Sequence, residues 1–459
     1  MTIAAPPARP SLFAPGFRAV SIAGVTMVGV QAFEAVAVST AMPTVAAALG
    51  GLNGYALAFG VPAAASIVGM VSSGSWSDRR GPVGALAVGW LLFVTGLLVA
   101  GLSTSMTMLI GGRALQGLGS GLTSVALYVV VAKTYPESLR PRIFSAYAAA
   151  WVLPALLGPV IAGFVVVHLG WRWVFLLVPF IAVAAAVAGW GPCRRLLAAH
   201  DPAPATLTVR ESLRRSSFAV MAGLAACLLS VAGQTQRSVA IPAMLVGVLL
   251  LVVAIPKLLP SRTYRSGRGL PTVVLLRGLT GAAFTAAEVF LPLLLSRERG
   301  LSPTGAGIVL TVGALGWSAG SAWQGRVSAS DRRPALLRLG LMMLTIGIAG
   351  ACATVFPAVP LFSVYVAWTI AGLGIGIAYP TMSVLTLELS ATDDEGRNSS
   401  ALQVNEALLQ AITLAVSGTV FAALIVSSHV LPYLAGFTIA AGAAATGAVL
   451  ASRVRLPTG

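Results

Sequence analysis

"LIGGRALQGLGSG", residues 109–121, sets one arginine, Arg113, inside an otherwise apolar run rich in glycine. A guanidinium keeps its proton in proteins. On insertion scales an arginine at the centre of a membrane helix costs about 2.5–3.5 kcal/mol. A chain that keeps one there needs a partner for it or a use for it.

The rest of the chain makes the membrane reading unavoidable. Of 459 residues, 57% are hydrophobic and only 9% are charged, and the mean hydropathy is +0.91. Soluble domains carry roughly 25% charged residues, so this composition has too little polar surface to enclose a water-soluble core. The formal charge of +16 is scattered in short clusters between apolar runs, forms no basic domain and argues against a nucleic-acid partner. Three scattered cysteines, Cys193, Cys227 and Cys352, match neither a disulfide framework nor a metal site. No signal peptide is evident at the start.

About 20 apolar residues cross the hydrocarbon core. Six such stretches lie near 18–42, 54–75, 83–102, 106–132, 142–167 and 173–192, and two shorter ones near 216–233 and 240–259. Six more follow near 271–295, 304–325, 335–356, 361–387, 402–427 and 431–452. The expectation is about fourteen transmembrane helices. With the N-terminus inside, 23 loop lysines and arginines fall on the cytoplasmic side and only Arg172, Arg237, Arg297 and Arg299 outside. By the positive-inside rule both termini are then cytoplasmic. Two lysines against 27 arginines fit a GC-rich bacterial genome, hence a bacterial plasma membrane.

The chain also repeats itself. "SDRRGP" at 77–82 returns as "SDRRPA" at 330–335, and "GLGSG" at 117–121 returns as "GLGIG" at 372–376. Arg142 and Arg397 each lie 25 residues beyond the first glycine, and Glu34 and Glu288 lie 44 and 43 residues before Asp78 and Asp331. One shared register predicts a duplicated six-helix unit. The expected division is a tail 1–16, a first bundle 17–192, a central segment 193–269 with two inserted helices, a second bundle 270–452 and a tail 453–459. Parallel repeats about an axis along the membrane normal belong to secondary transporters, with the substrate site near the midplane between halves.

At these residues the sequence resembles the major facilitator superfamily, in its fourteen-helix drug:proton antiporter branch. "GSWSDRRGP" (74–82) is similar to the family's first loop signature, with Pro82 and Val83 replacing its final basic pair. "RALQGLGSG" from Arg113 matches the fourth-helix signature R-x-x-Q-G-x-G. "GPVIAG" (158–163) resembles the core of the fifth-helix antiporter signature, with Ala162 at one glycine and Pro154 and Ser145 at two others. "FEAVAVSTAMPTV" (33–45) resembles the first-helix pattern, with Glu34 where aspartate is usual.

The resemblance implies that Arg113 biases the protonation of nearby carboxyl groups, unless it only bonds backbone carbonyls. Glu34, Glu288 and Glu406 are the acids placed well inside spans; Glu34 is the first candidate for the proton carrier, and Glu406 alternatively bridges helices. Glu388 is expected to be solvated at a helix end. Gly74, Asp78, Arg79 and Gly81 form the gating loop, where the family implies that Asp78 pairs across the halves; an exposed turn charge is the plainer reading. Gly117, Gly119, Gly158, Pro159 and Gly163 suit close helix approach and a local bend. Gln116, Tyr147, Trp151, Phe284 and Trp317 are candidates for lining a substrate cavity, or they are packing residues. Trp368 occupies the second-repeat position matching Arg113.

No phosphate-binding G-x-x-x-x-G-K-[ST] loop appears, so the expected energy source is a proton gradient, with no cofactor, no metal and no enzyme activity. The expected function is proton-coupled efflux of hydrophobic or cationic small molecules by a monomer in the lipid bilayer. A dedicated exporter of one metabolite or lipid is the alternative. A non-transporting receptor or scaffold would need neither Arg113 nor the buried acids.

Overall fold

The computed structural model describes residues 11–50, 55–198, 209–232, 237–301, 303–327, 332–424 and 428–454. Asp331 of the repeated motif and the outer parts of both tails fall outside them. Fifteen α-helices and no strands occur among the described residues. They are α1 (Arg18–Ala48), α2 (Tyr55–Arg80), α3 (Pro82–Gly101), α4 (Met106–Thr134), α5 (Arg140–Ala149), α6 (Val152–His168) and α7 (Arg172–Ala198). Next come α8 (Val209–Ala232) and α9 (Arg237–Leu258). The chain closes with α10 (Leu270–Arg297), α11 (Pro303–Gln324), α12 (Arg333–Ala353), α13 (Ser363–Glu388), α14 (Glu395–Leu424) and α15 (Leu431–Leu450).

Among the described residues, eleven helical stretches are long and apolar enough to cross a membrane. The stretch expected as one helix over 142–167 is two, α5 and α6, together running Arg140–His168. The break falls at Ala150–Trp151 because Pro154 has no N–H to give to the Ala150 carbonyl. The gating "loop" is also tighter than expected. Asp78 and Arg79 belong to the last turn of α2, and Gly81 alone, at φ 76°, turns the chain into α3. That positive φ is strained for any residue with a side chain.

The helices form two bundles with one packing scheme. In the first, α4 lies between α2 and α3, while α1 packs on α6 and α7 and α3 on α7. In the second, α13 lies between α11 and α12, while α10 packs on α14 and α15 and α12 on α15. Glycines set the spacing in both. A Cβ on Gly89 would lie 2.9 Å from the Gly119 carbonyl, and one on Gly340 2.7 Å from that of Gly374. On the other flank Gly117 and Gly121 meet the backbone at Pro62 and Ser66, as Gly372 and Gly376 meet it at Gly313 and Trp317. The duplicated sequence thus becomes duplicated helix contact. Each half has its own apolar core.

α8 packs on α9, α2 and α14, where a third apolar cluster joins Ile67 and Val71 to Val404 and Leu408. The inserted pair therefore seals the α2–α14 seam between the halves. Side-chain hydrogen bonds join one half to the other at the arginine-rich end. Asp78 bonds α14, Tyr128 Oη lies 3.0 Å from Ser383 Oγ, and Ser145 Oγ donates to the Ser321 carbonyl at 2.5 Å.

Candidate functional site

Arg113 has both a partner and a structural reason for its place. Pro62 cannot donate to the Ala58 carbonyl four residues earlier, and Arg113 Nε donates to that carbonyl at 3.3 Å. Gly117, one turn on, lets α2 close at the same proline. Arg113 Nη1 donates to Glu34 Oε1 at 2.5 Å and to Gln116 Oε1 at 2.7 Å. Arg113, Glu34 and Gln116 are 7%, 6% and 2% exposed. The R-x-x-Q-G spacing thus places a guanidinium, the amide that orients it and the gap for its proline on one helix. Glu34 arrives from the middle of α1.

Glu406 has a partner that the sequence reading missed. Arg277 Nε of α10 donates to Glu406 Oε2 at 2.5 Å, and Arg277 is 8% exposed. Tyr379 Oη donates to Glu406 Oε1 at 2.8 Å, and the guanidinium sits 3.7 Å from the Tyr379 ring centre. The adjoining Asn405 is held by the Val274 carbonyl and by Tyr264 Oη, each at 2.7 Å. The second half therefore carries its own buried Arg–Glu pair, although Trp368 replaces the matching arginine. Trp368 is fully buried and stacks on Phe284. A count would have found Arg277: of 29 basic residues, 27 fall in the loops, leaving Arg113 and Arg277.

The remaining predicted residues do not gather in one place. Glu288 lies on α10, half-buried, away from either pair in bonding terms. Tyr147 is 7% exposed and packs on Phe144 and Gly24 within the first core. Trp151 is 47% exposed at the α5–α6 break. Phe284 and Trp317 meet edge to face at 5.2 Å, and Trp317 continues to Tyr379 at 5.3 Å, so an aromatic chain leads to Glu406. Gly158 packs against Val36 of α1. Gly163, by contrast, has open space where a side chain would be, so it gives no close approach. Among the described residues no three His, Cys, Asp or Glu side chains converge as a metal set.

At the arginine-rich end, Asp78 Oδ1 and Oδ2 accept the Gly396 and Arg397 amides of α14 at 2.7 and 2.9 Å. A carboxylate there satisfies orphan N–H groups and the positive end of the helix dipole. Gly74, one turn back, fits directly against the Gly396 backbone. Arg79 is half-exposed and bonds no described residue across this contact. Glu388, expected in solvent, instead pairs with Arg333, which is 2% exposed. Helix α12 begins where α13 ends, and packing the two helices together folds both charges inward. Glu395, in the first turn of α14, is pushed up to about 7 by burial, against the pull of Arg140 and Lys133.

Residues 24–414 match the family model of the Major Facilitator Superfamily. A "Probable multidrug-efflux transporter" of Mycobacterium tuberculosis is 27% identical over 380 residues, covering 79% of each chain. The multidrug efflux pump SdrM of Staphylococcus aureus is 24% identical over 379 residues, covering 80% of this chain and 81% of that one. Among solved structures, the human organic anion transporter MFSD10 superposes with a TM-score of 0.69 at 14% identity, covering 95% of this chain and 100% of that one. The proton:xylose symporter XylE gives 0.65 at 13% identity, covering 93% and 94%. Two bundles with the same glycine-spaced packing, a buried arginine on the fourth helix and a family match over most of the length agree: this chain belongs to the Major Facilitator Superfamily and is a membrane transporter, not an enzyme.

Proposed function

We propose that the protein is a proton-driven antiporter that exports hydrophobic or cationic small molecules across a bacterial plasma membrane. The observation that carries this reading is the buried Glu34–Arg113 pair, oriented by Gln116 in the first bundle. The multidrug-efflux relatives support the substrate class. Glu34 takes a proton when Arg113 withdraws and releases it when the pair re-forms. Glu406, with Arg277 and Tyr379, is the second proton or substrate group, and Glu288 the third candidate. Phe284 and Trp317 offer an aromatic wall toward Glu406 for a cationic or apolar ligand.

In this reading α5 and α6 cross as one helix and α8 and α9 cross as a pair. That gives fourteen passages, with a tail 1–16, bundles 17–192 and 270–452, a central segment 193–269 and a tail 453–459. Both termini and the arginine-rich end face the cytoplasm, and the monomer is the working unit. The proton gradient takes the place of any cofactor. A dedicated exporter of one metabolite or lipid would use the same machinery.

The test is the purified protein in liposomes, with an imposed pH gradient and a panel of cationic dyes. Dye movement that follows the pH gradient, and stops when an ionophore collapses it, is expected. Dye movement indifferent to the pH gradient would refute proton coupling. Movement of no dye in the panel would favour the dedicated exporter.

A further inference from the structure

Outside the buried arginine–glutamate pairs, the most unusual placement of charge is at the foot of the inserted helix pair. A cavity of about 250 Å³ opens there between α8, the end of α9 and the first turns of α14. Arg215 of α8 and Arg397 of α14 line it, and Leu258, Leu259, Pro260 and Ala401 form its apolar wall. Arg215 is half-buried, and no described residue offers its guanidinium a hydrogen bond or ion pair. Arg397 spends one nitrogen on Asp394, at 2.6 Å, and keeps its other N–H groups.

Two guanidinium groups on one small cavity are an unfavourable arrangement without an anion. Burial, and after it the positive charge of Arg397, lowers Arg215 from the ordinary guanidinium value. Asp394, Asp78 and Glu211 act in the opposite sense. None of the three lines the cavity. Asp394 is turned to Arg397, and both Asp78 oxygens are taken by α14 amides.

We infer that this cavity binds a phosphate ester, and that its occupant is the headgroup of an anionic phospholipid from the adjoining leaflet. Paired guanidinium forks match phosphate oxygens in geometry and charge. The leucine and proline wall suits the glycerol and upper acyl region of a lipid, whereas a free phosphate would gain nothing from it. The cavity sits at the arginine-rich end, the side on which the positive-inside rule places the anionic leaflet. A lipid phosphate there would tie the inserted pair to the α14 N-terminus that holds Asp78. It would thereby favour the arrangement in which this end is shut. The inference stands apart from substrate and proton coupling.

The experiment is native mass spectrometry of the delipidated full chain with added phosphatidylglycerol, phosphatidylcholine or inorganic phosphate. Phosphatidylglycerol is expected to bind, and Arg215→Gln to weaken it about tenfold, the loss of one charge-assisted contact. Phosphatidylcholine, whose choline the arginines repel, is expected to bind equally to both proteins. Leu259→Trp keeps both charges but fills the cavity, and is expected to weaken phosphatidylglycerol too. If Arg215→Gln fails to fold, Leu259→Trp with Arg215→Lys decides the matter. Equal phosphatidylglycerol binding by wild type and the folded variants would overturn the site. Displacement of the lipid by millimolar inorganic phosphate would overturn its assignment to a lipid.

Discussion

Two arginines in the apolar interior each hold a glutamate, but their surroundings differ. Arg113 is shared between Glu34, Gln116 and the Ala58 carbonyl, so it has other bonds to keep when the glutamate is neutral. Glu34→Gln is expected to fold and to lose gradient-driven transport. Arg113→Lys keeps a cation without the planar fork and is expected to impair coupling nearly as much as Arg113→Ala. Liposome flux of the double variant should match the worse single one, as for residues that act as a unit. Full flux in Glu34→Gln would move the proton to Glu288 or Glu406. For the second pair, removing one partner strands the other charge, at about 3–5 kcal/mol. Arg277→Gln and Glu406→Gln are each expected to lower the thermal midpoint sharply, and the double variant to recover most of it. No recovery would mean that the two act separately. Glu395 provides the pH test outside the apolar run. Its pKa is raised from 4.5 to about 7 in the folded protein, so the folded state binds more protons between those values and loses stability as pH rises through them. Thermal midpoints at pH 5 and 8 should therefore differ less in Glu395→Gln than in wild type. An unchanged difference would show that Glu395 is not the titrating group.

Helices in this molecule approach one another through glycine on one side and proline on the other. Pro62 opens the Ala58 carbonyl that Arg113 fills, and Pro380 opens the Gly376 carbonyl that Ser321 Oγ fills at 3.0 Å. Each proline therefore leaves a bend whose lost hydrogen bond a neighbouring helix restores. The glycines opposite admit no side chain. Gly119→Leu and Gly374→Leu are each expected to cost at least about 3 kcal/mol, the upper end of overpacking penalties, because backbone stands in the way. Gly163→Leu, facing open space, should stay within about 0.5 kcal/mol. Denaturation of the three variants in detergent measures this directly. A milder loss at Gly119 than at Gly163 would refute glycine spacing as the basis of bundle packing.

At the scale of the whole molecule, the two bundles are joined by polar bonds at one end and flanked along the α2–α14 seam by the inserted pair. The structure is thus the form shut at its arginine-rich end, with Asp78 as the tie between α2 and α14. If α8 and α9 cross the membrane, a reporter fused after residue 265 reads cytoplasmic and one near residue 235 reads external. A cytoplasmic reading at 235 would leave the pair lying on one face and reduce the passages to twelve.

Hydropathy, loop arginines and the doubled GLGSG/GLGIG register are properties of the chain alone, because lipid demands long apolar helices and a repeated contact demands a repeated small residue. They make the helical membrane class and the duplicated plan legible in the sequence itself. Arg113, Glu34 and Asp78 stood out because charge is rare in such a chain and each sits in a local motif. Pairings between distant segments left no such trace. Arg277 and Glu406 are 129 residues apart, and Arg333 and Glu388 meet only because α12 and α13 pack side by side. Tyr147, open in the sequence between cavity lining and packing, packs in the first core. Which buried charges meet depends on helix rotation and depth, and these are fixed only when every helix packs at once.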